Sequence, residues 1–135
     1  MSSNNRIVSI VDDDPGTTIF FNEALRSIPG ITVFTFTDPI LALEHFQDNG
    51  YAYVAVISDF KMPGLNGMEF LKKIKDSNRF VRTILMTAFE IDDTLFQEYT
   101  KKKIINGFLQ KPIHLNDFRA EVNNQLHTYI RITKK

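Results

Sequence analysis

Carboxylates collect at two places in this 135-residue chain: Asp12-Asp13-Asp14, after Ile7-Val8-Ser9-Ile10-Val11, and Asp59, after Tyr53-Val54-Ala55-Val56-Ile57. Brought together by a fold, such groups repel one another, and one of them takes up a proton more readily unless a cation neutralises the set. An oxygen-only set suits a hard divalent ion, Mg²⁺ or Mn²⁺, rather than a soft one. An ionised aspartate is also a nucleophile that can form an aspartyl phosphate. A phosphoryl group in transit spreads negative charge over its equatorial oxygens and needs cationic and hydrogen-bonding neighbours. The Lys111 ammonium and the Thr87 hydroxyl, in Gln110-Lys111-Pro112 and Leu85-Met86-Thr87-Ala88, have the chemistry for that task.

Whether these residues meet depends on the elements that carry them. Ile7 to Val11, Ile31 to Phe36, Tyr53 to Ile57, Thr83 to Met86 and Ile104 to Leu109 read as short strands. Between them lie helix signals. Asp14-Pro15 and Asp38-Pro39 are cap-then-proline openings, with Asp14 as a helix cap rather than a site acid, and Pro29-Gly30 and Asn49-Gly50 are stops. Met68, Leu71 and Ile74 mark a third helix, Asp92 to Lys102 a fourth and Leu115 to Thr128 a fifth. Five β-α units in alternation predict an α/β fold with a parallel sheet covered by helices on both faces. Right-handed crossovers place all the strand C-terminal ends on one edge, where ligands bind in such folds. Asp12, Asp13, Asp59, Thr87 and Lys111 all fall at or just past those ends.

The blocks Val11-Asp12-Asp13-Asp14, Ile57-Ser58-Asp59-Phe60-Lys61-Met62-Pro63-Gly64-Leu65-Asn66-Gly67, Leu85-Met86-Thr87-Ala88 and Gln110-Lys111-Pro112 resemble, in order, the signature of response-regulator receiver domains. The resemblance runs from about Arg6 to Thr128 and implies a flavodoxin-like (βα)5 three-layer sandwich with sheet order 2-1-3-4-5, one domain over residues 1–135. It further implies that Asp59 is the phosphoacceptor. The metal set would be Asp13 directly, Asp12 through water, Asp59, and the backbone carbonyl of Lys61. Thr87 and Lys111 would bind the phosphoryl group, and Phe108 would be the aromatic that turns inward when Thr87 moves. A cis peptide before Pro112 is common in the family. Partners implied are a sensor histidine kinase or histidine phosphotransfer protein, and a downstream protein that reads the switched surface. Lys61 and Phe89, two positions past Asp59 and Thr87, are bulkier or more charged than is usual and would shield the phosphoryl group from water, so slow decay is expected.

Other readings of the acidic run fail on particular residues. A haloacid-dehalogenase loop needs Thr or Val where Gly16 stands, and an EF-hand starting at Asp12 needs glycine at its sixth position, which is Thr17. A flavodoxin-type electron carrier needs a hydroxyl- and glycine-rich phosphate loop, where this chain has three aspartates. A docking module of the same fold that works without phosphorylation is the remaining alternative, though it would be expected to lack one of the key residues. His45, His114 and His127 have no second His or Cys nearby in sequence, and Lys101-Lys102-Lys103 reads as a solvated helix end. Sixteen Lys and Arg balance sixteen Asp and Glu, and no cysteine is present. A net charge of zero offers no long-range attraction to nucleic acid or membrane, so neither is an expected partner. A polar N-terminus and the lack of a long apolar run point to the cytoplasm.

Overall fold

The computed structural model describes residues 6–88 and 93–134. Strands β1 (Arg6–Val11), β2 (Ile31–Phe36), β3 (Tyr53–Asp59), β4 (Arg82–Thr87) and β5 (Gly107–Gln110) form one parallel sheet in the order β2-β1-β3-β4-β5. They alternate with α1 (Pro15–Leu25), α2 (Pro39–Asn49), α3 (Gly67–Ser77), α4 (Asp93–Lys101) and α5 (Leu115–Thr133). This is the flavodoxin-like (βα)5 architecture. No helix among the described residues is long and apolar enough to cross a membrane.

The two sides of the sheet hold separate cores. On one, Val11, Val56 and Leu85 of the strands pack with Phe46 of α2 and Phe70, Leu71 and Ile74 of α3. On the other, Val8, Ile10, Ile57 and Ile84 pack with Phe21 and Leu25 of α1 and Phe118, Val122 and Leu126 of α5. Residues facing alternate sides along one strand therefore serve different helices, and β3, the central strand, is buried throughout. The edge strand β2 is only half covered.

Local chemistry starts the helices that flank the site. The Asp14 carboxylate accepts from Gly16 N–H at 3.1 Å and Asp38 accepts from Ile40 N–H at 2.9 Å, each followed by proline in the first turn. Asn66 caps α3 by accepting from Glu69 N–H at 2.9 Å.

Among the boundaries that differ from those read in the sequence, three have a clear physical cause. β3 continues through Ser58 and Asp59, because pairing with β4 persists to Asp59 opposite Met86. β5 starts at Gly107, not Ile104: Lys103 turns the chain with φ 62°, and the Thr83 hydroxyl takes the Ile104 carbonyl at 2.6 Å, out of the ladder. α5 runs on to Thr133, since Tyr129 extends the buried stripe of Phe118, Val122 and Leu126.

Gly67 fixes how α3 meets the end of β3. Its N–H donates to the Phe60 carbonyl at 2.6 Å, and a Cβ there would collide with the backbone carbonyl of Asp59 and sit 3.0 Å from Leu85 Cδ1. Gly67→Ala is expected to destabilise the fold by about 1–3 kcal/mol through overpacking, although alanine is the better helix former. Urea denaturation measures this, and an unchanged midpoint would show that the close approach is not required.

Candidate functional site

The sheet edge predicted from the sequence is the place where the polar residues meet. β1 ends at Val11, and the Asp12 N–H still donates to the Phe36 carbonyl of β2 at 3.0 Å, so Asp12 stands as a continuation of the strand. Its side chain is 1% exposed. One carboxylate oxygen accepts from Asp14 N–H at 3.0 Å and the other from Lys111 Nζ at 3.0 Å. Asp59 is the last residue of β3, and Phe60 N–H donates to the Met86 carbonyl at 2.8 Å, holding the turn beyond it. Lys111 Nζ lies 3.2 Å from Asp59 Oδ1, so one ammonium bridges two carboxylates that arrive on different strands.

Lys111 is itself set by the backbone. Its N–H donates to the Thr87 carbonyl at 2.9 Å, and the Lys111–Pro112 peptide is cis. Carboxylate oxygens of Asp12, Asp13 and Asp59 lie within 4.8 Å of one another, with Asp12 and Asp59 buried and Asp13 exposed. Asp14 stands apart. Its carboxylate is taken by Gly16 N–H and, at 2.8 Å, by the Thr17 hydroxyl.

The electrostatics follow from this packing. Burial, and then the charge of Asp12, raise the Asp59 carboxyl above its ordinary value, with Lys111 pulling the other way. Burial works against the Lys111 ammonium, but its hydrogen bond and attraction to Asp12, together with Asp59, outweigh this and raise it. The site therefore holds three carboxylates against one firmly charged ammonium, a surplus of negative charge grouped on hard oxygen donors.

Thr87 ends β4 fully buried, with its backbone carbonyl bonded to Lys111 N–H and, at 3.2 Å, to the Gln110 side chain. Lys61 is exposed. Phe108 is not at the site: it lies on β5, 37% exposed, with its ring set edge-on to Phe96 of α4 at 5.0 Å. Phe89 lies outside the described residues. Gly67 is a site residue that the motif chemistry does not assign, and its contact with the Asp59 backbone gives it a packing role. The signal for it was a glycine directly after a capping asparagine, where a better helix former would have been expected.

The response regulator receiver domain family matches residues 8–123. This chain belongs to that family. The receiver is 31% identical over 123 residues to sporulation initiation phosphotransferase F of Bacillus subtilis, covering 90% of this chain and 94% of that protein. It is 29% identical to the DNA-binding transcriptional regulator NtrC of Escherichia coli K12, covering 91% of this chain but only 25% of that protein. Among solved structures, a response regulator receiver domain protein from Clostridium thermocellum superposes with a TM-score of 0.82 at 25% identity, over 95% of this chain and 99% of that one.

The raised Asp59 carboxyl has a consequence for stability. The folded receiver binds that proton more tightly than the unfolded chain does, whose carboxyl titrates near 3.8. The group's contribution is thus most favourable below that value and is lost as pH rises through the folded-state pKa. In buffer with a chelator, Asp59→Asn is expected to raise the melting temperature at about pH 7 and to lose that advantage as pH falls toward about 4. A melting-temperature series against pH checks this, and a variant less stable than wild type at neutral pH would contradict it.

Proposed function

We propose that this receiver accepts a phosphoryl group on the Asp59 carboxylate from a phosphohistidine donor and passes the event on through a changed protein-binding surface. The observation that carries this reading is the meeting of Asp59 with Lys111 at 3.2 Å and with the carboxylates of Asp12 and Asp13. The donor set fits Mg²⁺ or Mn²⁺, because it consists of carboxylate oxygens with excess negative charge and no nitrogen or sulfur ligand. Asp12, Asp13, Asp59 and the Lys61 carbonyl would hold the ion, which when bound supplies positive charge against the phosphoryl oxygens.

The chain's own groups do the rest. An ionised Asp59 oxygen attacks phosphorus in line with the histidine nitrogen. The new P–O bond forms as the P–N bond breaks, and the electron pair leaves with the imidazole. Lys111, already charged and adjacent, shifts from Asp59 toward a phosphoryl oxygen. Thr87, next to it through the backbone bond to Lys111, turns its hydroxyl to donate to another oxygen. The space vacated around Thr87 lets Phe108 leave its contact with Phe96 and turn inward, altering the surface made by α4, β5 and α5. This is a shift between two populated states, biased by the bound phosphoryl group.

A groove of about 630 Å³ lined by Phe20, Phe21, Pro112 and Ile113 opens onto Lys111 and gives the donor protein, a histidine kinase or phosphotransfer protein of the cytoplasm, a place to rest. The receiver catalyses only its own phosphorylation and dephosphorylation. Lys61, exposed two positions past Asp59, slows the second of these by shielding the phosphoryl group.

Incubation with acetyl phosphate and Mg²⁺ is expected to add one phosphoryl group by intact-protein mass spectrometry. Asp59→Asn, or removal of the metal with a chelator, abolishes the labelling, and Asp13→Ala lowers it by at least about tenfold. Full labelling of Asp59→Asn would sink the assignment. No labelling of the wild type under any of these conditions would leave the phosphorylation-independent docking module.

A further inference from the structure

The zero net charge hides a sorting of charge between the two edges of the sheet. Because all five strands are parallel and each helix runs back against them, strand starts and helix ends share the edge opposite the phosphorylation site. Arg6 and Arg82 open β1 and β4, Lys75, Lys101 and Arg131 occupy the last turns of α3, α4 and α5, and Arg79 and Lys134 follow helix ends. Of the acids of that edge, Glu23 pairs with Arg26, Asp76 with Lys72 and Glu98 with Lys102, each at 3.0 Å within its own helix or turn, while Asp48 at the end of α2 and Glu121 near Arg82 remain and are outnumbered by the cations. Among the described residues, Arg6, Arg79, Arg131 and Lys134 lie in no ion pair. Like charges also crowd there, since burial and the neighbouring Arg82 push Lys75 down to about 8. The acids at the strand C-terminal ends, Asp12, Asp13, Asp14, Asp38 and Asp59, sit on the other edge.

The basic edge also carries isolated apolar side chains that stand out from it. Tyr51, in the turn between α2 and β3, is 88% exposed, Phe80 before β4 is 42% exposed with the Arg79 guanidinium 5.0 Å over its ring, and Ile130 near the end of α5 is 44% exposed. These features are spread from β1 to β4 and over the helices of both layers. In the sheet order β1 and β4 are two strand spacings apart, roughly 10 Å at ~4.8 Å each, and the helices of both layers widen the charged face beyond that.

We propose that this edge docks the receiver on an anionic phospholipid surface. A broad face with distributed cations matches a planar array of acidic headgroups, and single aromatic and aliphatic side chains among them match insertion into the headgroup boundary. A narrow peptide would need its charge gathered in one groove, and a nucleic acid backbone would leave Tyr51 and Ile130 without a role. Docking in this way points the Asp59 edge away from the bilayer and leaves it open to a phosphodonor. The proposal is independent of the phosphorylation chemistry.

The test is co-sedimentation of the whole chain with vesicles of phosphatidylcholine alone and of phosphatidylcholine mixed with phosphatidylglycerol. Binding is expected only to the mixed vesicles and is lost at about 0.5 M salt. Arg131→Glu weakens it at least about fivefold, whereas Lys73→Glu, the same charge change on the exposed middle of α3, leaves it within about twofold. Tyr51→Ser also weakens it at constant charge. Circular dichroism and undiminished acetyl phosphate labelling of each variant separate loss of docking from loss of fold or of phosphorylation. Equal binding to both vesicle types, or equal effects of Arg131→Glu and Lys73→Glu, would overturn the proposal. So would duplex DNA binding that exceeds vesicle binding and ignores Tyr51→Ser, which would assign the face to nucleic acid instead.

Discussion

The ammonium of Lys111, set between Asp12 and Asp59, is the interaction on which the site depends. Two carboxylates at the mouth of a packed sheet would repel strongly in a partly desolvated place, and each would resist ionisation. Lys111 makes the arrangement tolerable, at 3.0 Å from one and 3.2 Å from the other. It does not fully neutralise the set, because Asp13 adds a third carboxylate. The remaining negative charge is what suits the site to a divalent cation, while burial first, and then the Asp12 charge that Lys111 only partly offsets, keep the Asp59 carboxyl raised. Structure and reactivity thus come from one imbalance.

Most of the rest of the fold serves to hold that imbalance in place. Asp12 follows β1 and Asp59 ends β3, adjacent strands buried from Ile7 and from Tyr53 onward, so neither can drift without disturbing two cores. Lys111 reaches in from the end of β5, tied by its backbone to Thr87 at the end of β4. That tie joins the ends of β4 and β5 beside the carboxylates. Asp14 is occupied in starting α1, and Gly67 allows α3 to begin against the Asp59 backbone. The elements around the site are short, individually weak in isolation, and stabilised by the sheet they cover.

The two edges of this sheet are chemically unlike. The edge with the strand ends gathers aspartates around the single ammonium of Lys111. The edge with the strand starts gathers arginines and lysines, in keeping with the preference of cations for helix C-termini. Helix macrodipoles favour both arrangements, because every helix runs antiparallel to the strands and points its N-terminus at the acidic edge.

The alternation of strand and helix, the residues at the strand ends, and the aspartate caps of α1 and α2 were all legible in the sequence, because each rests on local chemistry: β-branched runs, cap-then-proline pairs, and the register of apolar side chains. The identity of Asp12, Asp13, Asp59, Thr87 and Lys111 as a group was legible too, since a parallel sheet leaves only one edge for strand C-termini. The start of β5 was not, because the Ile104-Ile105 run looks like strand and only the Thr83 side chain, some twenty residues earlier, removes its carbonyl from the ladder. The contact of Gly67 with Asp59 and the outward resting place of Phe108 against Phe96 are likewise matters of packing between elements. Charge shows the division most plainly. Composition determined that positive and negative groups cancel, but only the direction in which each helix crosses the sheet decided that they would lie on opposite edges.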